Sequence, residues 1–153
     1  MTLSVNQESK IVPGVTKWGF HGFKKGQLMI NARAETVEKK KTFSKAFRET
    51  CCVFPLSGFY EWDSEKRKLL FTSSESDVFY LGGFYRIHKT GAGFETESII
   101  MTTKPNESVS SIHDRMPLII QKDHIEKWIT ELDFARNYLT AGMPELCRTE
   151  VTK

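Results

Sequence analysis

Between Cys51 and Thr103 the chain alternates short apolar or β-branched runs with glycine and polar breaks, and this rhythm restricts its fold more than any other feature. Residues 51–56, 59–62, 68–73, 78–86 and 96–103 each suit a strand. The breaks are Pro55 and Gly58, a polar turn at 73–77, and the Gly91-Ala-Gly93 loop. Strands this short and this close in sequence pair antiparallel. Gly82-Gly83 marks a bulge or a close backbone approach within one of them. Upstream, Pro13-Gly14 reads as a turn feeding a strand that ends near residue 20. Val37, Phe43, Ala46 and Phe47 predict an amphipathic helix over 37–50. Asp123 suits the cap of a helix carrying Ile125, Trp128, Ile129 and Leu132, and Asp133 that of a second with Phe134 and Tyr138. The expectation is a single α+β domain over residues 1–153, with a mixed, largely antiparallel, barrel-like sheet flanked by a few short helices.

At 153 residues, with 39% hydrophobic and 27% charged side chains, the chain has enough apolar material for one core, which excludes fibrous and disordered classes. No run approaches 18 apolar residues, and the N-terminus lacks a basic segment leading into an apolar one, so we expect a cytoplasmic monomer without membrane contact. Three cysteines, two of them adjacent at Cys51-Cys52, make neither a disulfide framework nor a CxxC ligand pair, and the adjacent two read as inert core thiols. His21, His88, His113 and His124 lack ligand spacing, and neither HExxH nor a Ser-His-Asp pattern is present. We therefore expect no metal and no cofactor. Charge is uneven: residues 10–48 hold ten Lys and Arg against Glu35 and Glu38, which suits either a polyanion-binding surface or a solvated helix face.

Three polar clusters do not suit a plain core: Asn31-Ala-Arg33-Ala-Glu35-Thr36, Gly58-Phe-Tyr-Glu61-Trp62 and His113-Asp-Arg115-Met-Pro117. Buried polar groups are costly unless they satisfy one another or serve a ligand. Converging, a carboxylate, an imidazole and a carboxamide would form an acid/base set. Taken singly, Glu61 also suits the open face of a strand, His113 a loop, Arg33 and Arg115 structural ion pairs, Asn31 a turn cap, and Trp18 and Trp62 the core.

Trp18-Gly19, the Asn31-to-Thr36 string, Gly58-Phe-Tyr-Glu-Trp62, Thr102-Thr103 and His113-Asp-Arg-Met-Pro117, in this order, resemble the SRAP family, the SOS response-associated peptidases. The resemblance implies recognition of abasic sites in single-stranded DNA and, in intact members, a stable DNA–protein crosslink in the DNA damage response. There the α-amine and thiol of a cysteine at position two capture the ring-opened sugar as a thiazolidine, a ring closure favoured by proximity. It further implies that Asn31 orients the nucleophilic terminus, Glu61 shuttles protons and His113 assists ring opening. Arg33 and Arg115 would hold flanking phosphates, Trp62 would stack on a base or wedge the strand, and Trp18 would help line the floor.

The chain departs from that family at its start, where Met1-Thr2 stands in place of Met-Cys and no Cys-Gly-Arg opening precedes Trp18. We therefore expect an N-terminally shortened member in which no residue present serves as the nucleophile. Two alternatives stand beside abasic-site sensing: a non-catalytic single-stranded DNA binding module, and a peptidase acting on its own N-terminal residues.

Overall fold

The computed structural model describes residues 1–22, 24 and 26–151. In chain order the strands are β1 (Thr2–Val5), β2 (Ile11–Gly14), β3 (Lys17–Trp18), β4 (Phe20–His21), β5 (Leu28–Met29), β6 (Asn31–Arg33), β7 (Cys51–Leu56), β8 (Phe59–Trp62), β9 (Lys68–Ser73), β10 (Phe79–Thr90), β11 (Gly93–Thr103), β12 (Met116–Pro117), β13 (Ile119–Ile120) and β14 (Leu146–Glu150). The helices are α1 (Lys41–Glu49), α2 (Glu107–Ser110), α3 (Ile125–Thr130) and α4 (Leu132–Tyr138). The large sheet runs β12-β11-β10-β7-β1-β2, with β13 on β10 and with β3 and β6 on β11. A second sheet has the order β14-β9-β8, and β4 pairs with β5. The class is α+β as expected, but the large sheet is not a closed barrel: among the described residues no pairing joins β2 to β12.

β10 is the axis of the fold because its neighbours on both sides pair through a continuous register, Phe79↔Leu56 to Phe84↔Cys51 and Gly83↔Ile100 to Thr90↔Gly93. The glycine pair is explained by close approach, not by a bulge. A Cβ on Gly83 would sit 2.3 Å from the Ile99 carbonyl oxygen, and one on Gly82 3.0 Å from Ile120 and 3.1 Å from Trp128.

The main core lies where α1, α3 and α4 cover the sheet. Phe84 is fully buried with ring centroids 5.8 Å from Phe20, 5.9 Å from Phe43 and 6.2 Å from Phe47. Buried Trp128 packs on Phe47 and donates its indole N–H to the Cys52 carbonyl oxygen at 3.0 Å. A second cluster, including Phe71, Phe79, Leu81, Met116 and Leu146, joins the two sheets. Burial pushes the Cys51 thiol up to about 12 and the Cys52 thiol well above its ordinary range, so both are inert core thiols. Among the described residues no helix is long and apolar enough to cross a membrane.

Several local expectations change. Thr2–Val5, where no strand was expected, forms β1 between β7 and β2, with Thr2 buried opposite Gly14. Pro13 and Gly14 belong to strand β2 rather than a turn, and β2 is an edge strand, the place where a missing N–H costs no ladder bond. The helix expected over 37–50 begins at Lys41, because residues 34–36 form a 3-10 turn that sends Val37 into the core. Asp123 lies in another 3-10 turn, so His124 caps α3; Glu131 caps α4, leaving Asp133 in its first turn. The C-terminal strand β14, unsignalled in the sequence, closes the second sheet against β9.

Candidate functional site

β11 carries the floor of a cleft of about 380 Å³. Side chains alternate along a strand, so Ile99 and Met101 enter the core while Ile100 and Thr102 face the cleft. β6 pairs with β11 in parallel, Asn31 opposite Ile100 and Arg33 opposite Thr102, which puts both polar residues on the cleft side and Ala32 in the core. β3, also parallel, brings Trp18 beside Ser98. β12 pairs Pro117 with Thr102 and Met116 with Thr103, and so delivers His113 and Arg115. From the second sheet, β8 offers Phe59 and Glu61. Asn31, Arg33, Glu61, His113, Arg115 and Trp18 therefore share one cleft, with Leu81, Ile100 and Met116 as its apolar floor. A larger hollow of about 570 Å³ lies beside Phe79 and Ile120, but no imidazole or arginine lines it.

The ionisable groups are held differently. Among the described residues the Glu61 side chain has no hydrogen-bond partner, and desolvation pushes its carboxyl above the ordinary range; His113 pulls it back and Asp114 pushes it further up. The His113 Nδ1 lies 3.0 Å from the Arg115 amide nitrogen, which donates to it when the ring is neutral. The Arg115 carbonyl oxygen lies 3.1 Å away and can accept from Nδ1–H when the ring is charged. Both protonation states thus have a backbone partner, and among the described residues Nε2 has no hydrogen-bond partner.

The arginines are not equivalent in their surroundings. Arg115 donates to both carboxylate oxygens of Glu35 at 2.8 and 2.9 Å and to the Thr102 carbonyl oxygen at 2.7 Å. Its fork is occupied by protein. Exposed Arg33 has no ion-pair partner among the described residues and is the cation available to a ligand. Of the described basic residues between 10 and 48, Arg33 alone lines the cleft, so Lys39, Lys40 and Lys41 fit the solvated-face reading.

Trp18, 55% exposed, is no core residue; its indole N–H donates to the Ile30 carbonyl oxygen at 3.0 Å, which leaves the ring as a fixed wall. Trp62 is also exposed, but strand alternation turns it to the opposite face of β8 from Glu61, and it does not line the cleft. There the Lys68 ammonium sits 3.8 Å over the neighbouring Tyr60 ring and 5.9 Å from that of Trp62. Thr2 donates its hydroxyl to the Gly14 carbonyl oxygen, and no cysteine lines the cleft. Sequence reasoning gave no role to Glu35 and Thr102; the available signal was the alternation that places Thr102 on the Ile100 side of its strand.

One further ionisable cluster lies on the other face of β11. His88, Glu95 and Glu97 place ligand atoms within 4.8 Å of one another, a cross-strand set invisible in linear spacing. Its carboxylates are already matched: Glu95 pairs with Lys17 at 2.5 Å, and fully buried Glu97 with Arg86 at 2.7 Å and with His21. Burial alone would raise the Glu97 carboxyl, but the bonds from His21 and Arg86 outweigh it and hold it below the ordinary range. A cation entering here would have to displace those partners.

The profile of the SOS response associated peptidase (SRAP) family matches residues 2–150. The chain belongs to the SRAP family. The SRAP chain is 34% identical over 145 residues to the abasic site processing protein YoaM of Bacillus subtilis, covering 88% of this chain and 64% of that relative. It is 33% identical to the abasic site processing protein YoqW of the same organism, covering 88% and 65%. It thus spans just under two thirds of the length of these relatives. A crystal structure of a Bordetella bronchiseptica protein superposes with a TM-score of 0.85 at 19% identity, covering 99% of this chain and 83% of that one, which shows the shared fold.

The raised Glu61 carboxyl gives a stability prediction for this SRAP domain. Because the folded state favours the protonated form, the contribution of Glu61 is fully present below the unfolded pKa and is lost as pH rises through the folded one. Glu61→Gln is therefore expected to melt a few degrees above the parent at neutral pH and level with it in acid, in thermal scans across pH. An unchanged or lower neutral melting temperature would contradict the desolvation argument.

Proposed function

We propose that this chain recognises abasic sites in single-stranded DNA through the cleft on β11. The observation that carries the reading is the meeting of unpaired Glu61, Asn31, His113 and free Arg33 in one hollow of about 380 Å³ beside an exposed tryptophan wall. A base-free sugar needs such a site. Its hemiacetal hydroxyl and ring oxygen are the handles for acid/base groups, its neighbouring phosphates need a cation, and the vacant base position leaves room for an aromatic ring. The names of the curated relatives support the same reading.

In the chemistry the cleft suits, a base takes the proton of the C1′ hydroxyl while an acid gives one to the ring oxygen. The C1′–O4′ bond then breaks to leave an aldehyde at C1′. His113, with a backbone partner in both protonation states, acts in this ring opening. Glu61, retaining its proton to higher pH than an exposed glutamate, passes protons during attack on the aldehyde. Asn31, opposite Ile100 on the floor, orients the attacking group. A thiazolidine crosslink requires an α-amine and a thiol at the cleft; Thr2 is held in β1 and no cysteine lines the site. We therefore assign non-covalent recognition to the cleft built by these residues, and crosslinking to SRAP proteins that bring such a terminus to this position.

Incubation with a single-stranded oligonucleotide carrying one abasic site, followed by native and by denaturing electrophoresis, tests both parts. The expected result is a salt-sensitive native complex, stronger than with the intact strand, and no heat-stable band. Equal binding of both oligonucleotides would sink abasic-site recognition; a heat-stable band lost in His113→Ala would sink the non-covalent assignment.

A further inference from the structure

We propose that Glu35, outside the lining of the cleft, is a positioning residue that fixes the His113 imidazole through Arg115. The inference rests on the proposed reading of the cleft for its consequence, but not for its geometry. Glu35 lies in the 3-10 turn that follows β6, while Arg115 lies eighty positions further along the chain at the approach to β12. Their two parallel hydrogen bonds, 2.8 and 2.9 Å, form the bidentate fork that constrains a guanidinium most strongly. Thr102 completes the hold by accepting at its carbonyl oxygen at 2.7 Å and, more weakly, at its hydroxyl at 3.3 and 3.4 Å.

The consequence lies in the backbone of the clamped residue. The N–H and C=O of Arg115 both lie within hydrogen-bond distance of the His113 Nδ1, with the exposed Asp114 carboxylate 3.4 Å from the same nitrogen. Fixing the guanidinium fixes the peptide, and the peptide sets the ring's orientation and tautomer. With Nδ1 accepting from the amide, the neutral ring carries its proton on Nε2. The Arg115 hydrogen bond also draws the Glu35 carboxyl below its ordinary range, so the fork outlasts an unpaired glutamate as pH falls. Glu35 thus serves the site without touching a ligand, and it neutralises Arg115, which leaves ligand phosphates to Arg33.

Histidine-labelled protein, observed by nitrogen NMR, gives the direct test, with no DNA present. His113 in the parent is expected as the Nε2–H tautomer. In Glu35→Gln its ring nitrogens should shift toward a tautomer mixture, while those of His88, on the far face of β11, stay in place. Should Glu35→Gln fail to fold, Glu35→Asp, which retains the charge on a shorter arm, is expected to show a smaller shift of the same kind. An unmoved His113 signal in a folded variant overturns the proposal. In binding assays Glu35→Gln should lose about tenfold of its preference for the abasic over the intact strand, the value of one charged hydrogen bond. Its affinity for intact strand should not fall, because Arg115 is left unneutralised. If the parent itself shows no preference, the functional reading fails, while the NMR result still decides the role of Glu35.

Discussion

Phe84→Ala is expected to lower the free energy of unfolding by about 3–5 kcal/mol and the melting temperature by roughly 10 °C or more. Phe84 is fully buried and meets Phe20, Phe43 and Phe47, so the truncation removes one ring from a four-ring cluster and leaves a hole that rigid neighbours fill poorly. The position also matters for the cleft. Phe84 pairs with Ile99 and adjoins Gly83, which faces Ile100, so the strand that anchors the core also sets the register of the cleft floor. Denaturant and thermal unfolding measure the loss directly. A change below about 1 kcal/mol would show that the cluster collapses around the missing ring.

Arg33→Ala is expected to weaken binding of single-stranded DNA about tenfold or more, with no comparable loss of stability. One charge-assisted contact is worth roughly 1.5–3 kcal/mol, and Arg33, exposed and without an ion-pair partner among the described residues, has little else to do. The more specific expectation concerns salt. Losing one phosphate contact should flatten the slope of log affinity against log salt by about 0.7, the single-strand value for one neutralised phosphate. Arg115→Ala should show a different pattern, with reduced stability as well as reduced binding, because it leaves Glu35 unpaired. Equal slopes for Arg33→Ala and the parent would remove Arg33 from the DNA interface.

The strands between Cys51 and Thr103 are legible in the sequence because period-two alternation and glycine breaks act locally. β8 and β9 fall where those signals place them, and Gly82-Gly83 does mark a close approach. The parallel seating of β3 and β6 on β11 is not legible, since two- and three-residue strands carry no pattern of their own and take their place from a partner far along the chain. Glu61 was conspicuous as a carboxylate among aromatics, and the shared face of Phe59 and Glu61 follows from alternation alone. The unequal roles of Arg33 and Arg115 were hidden, because only folding brings Glu35 to one of them. The outward turn of Trp62, by contrast, follows from its position next to Glu61 on an alternating strand.

Every wall of the cleft needs both halves of the polypeptide. Trp18, Asn31 and Arg33 are made early, yet they are seated against β11 and faced by residues 113–117. A nascent chain on the ribosome therefore holds no binding site until Pro117 has cleared the exit tunnel, and β3 and β6 must wait unpaired for their template. Pairings that distant make for slow assembly. A ribosome-stalled series cut on either side of that residue should switch from inert to DNA-retaining over a narrow span of lengths.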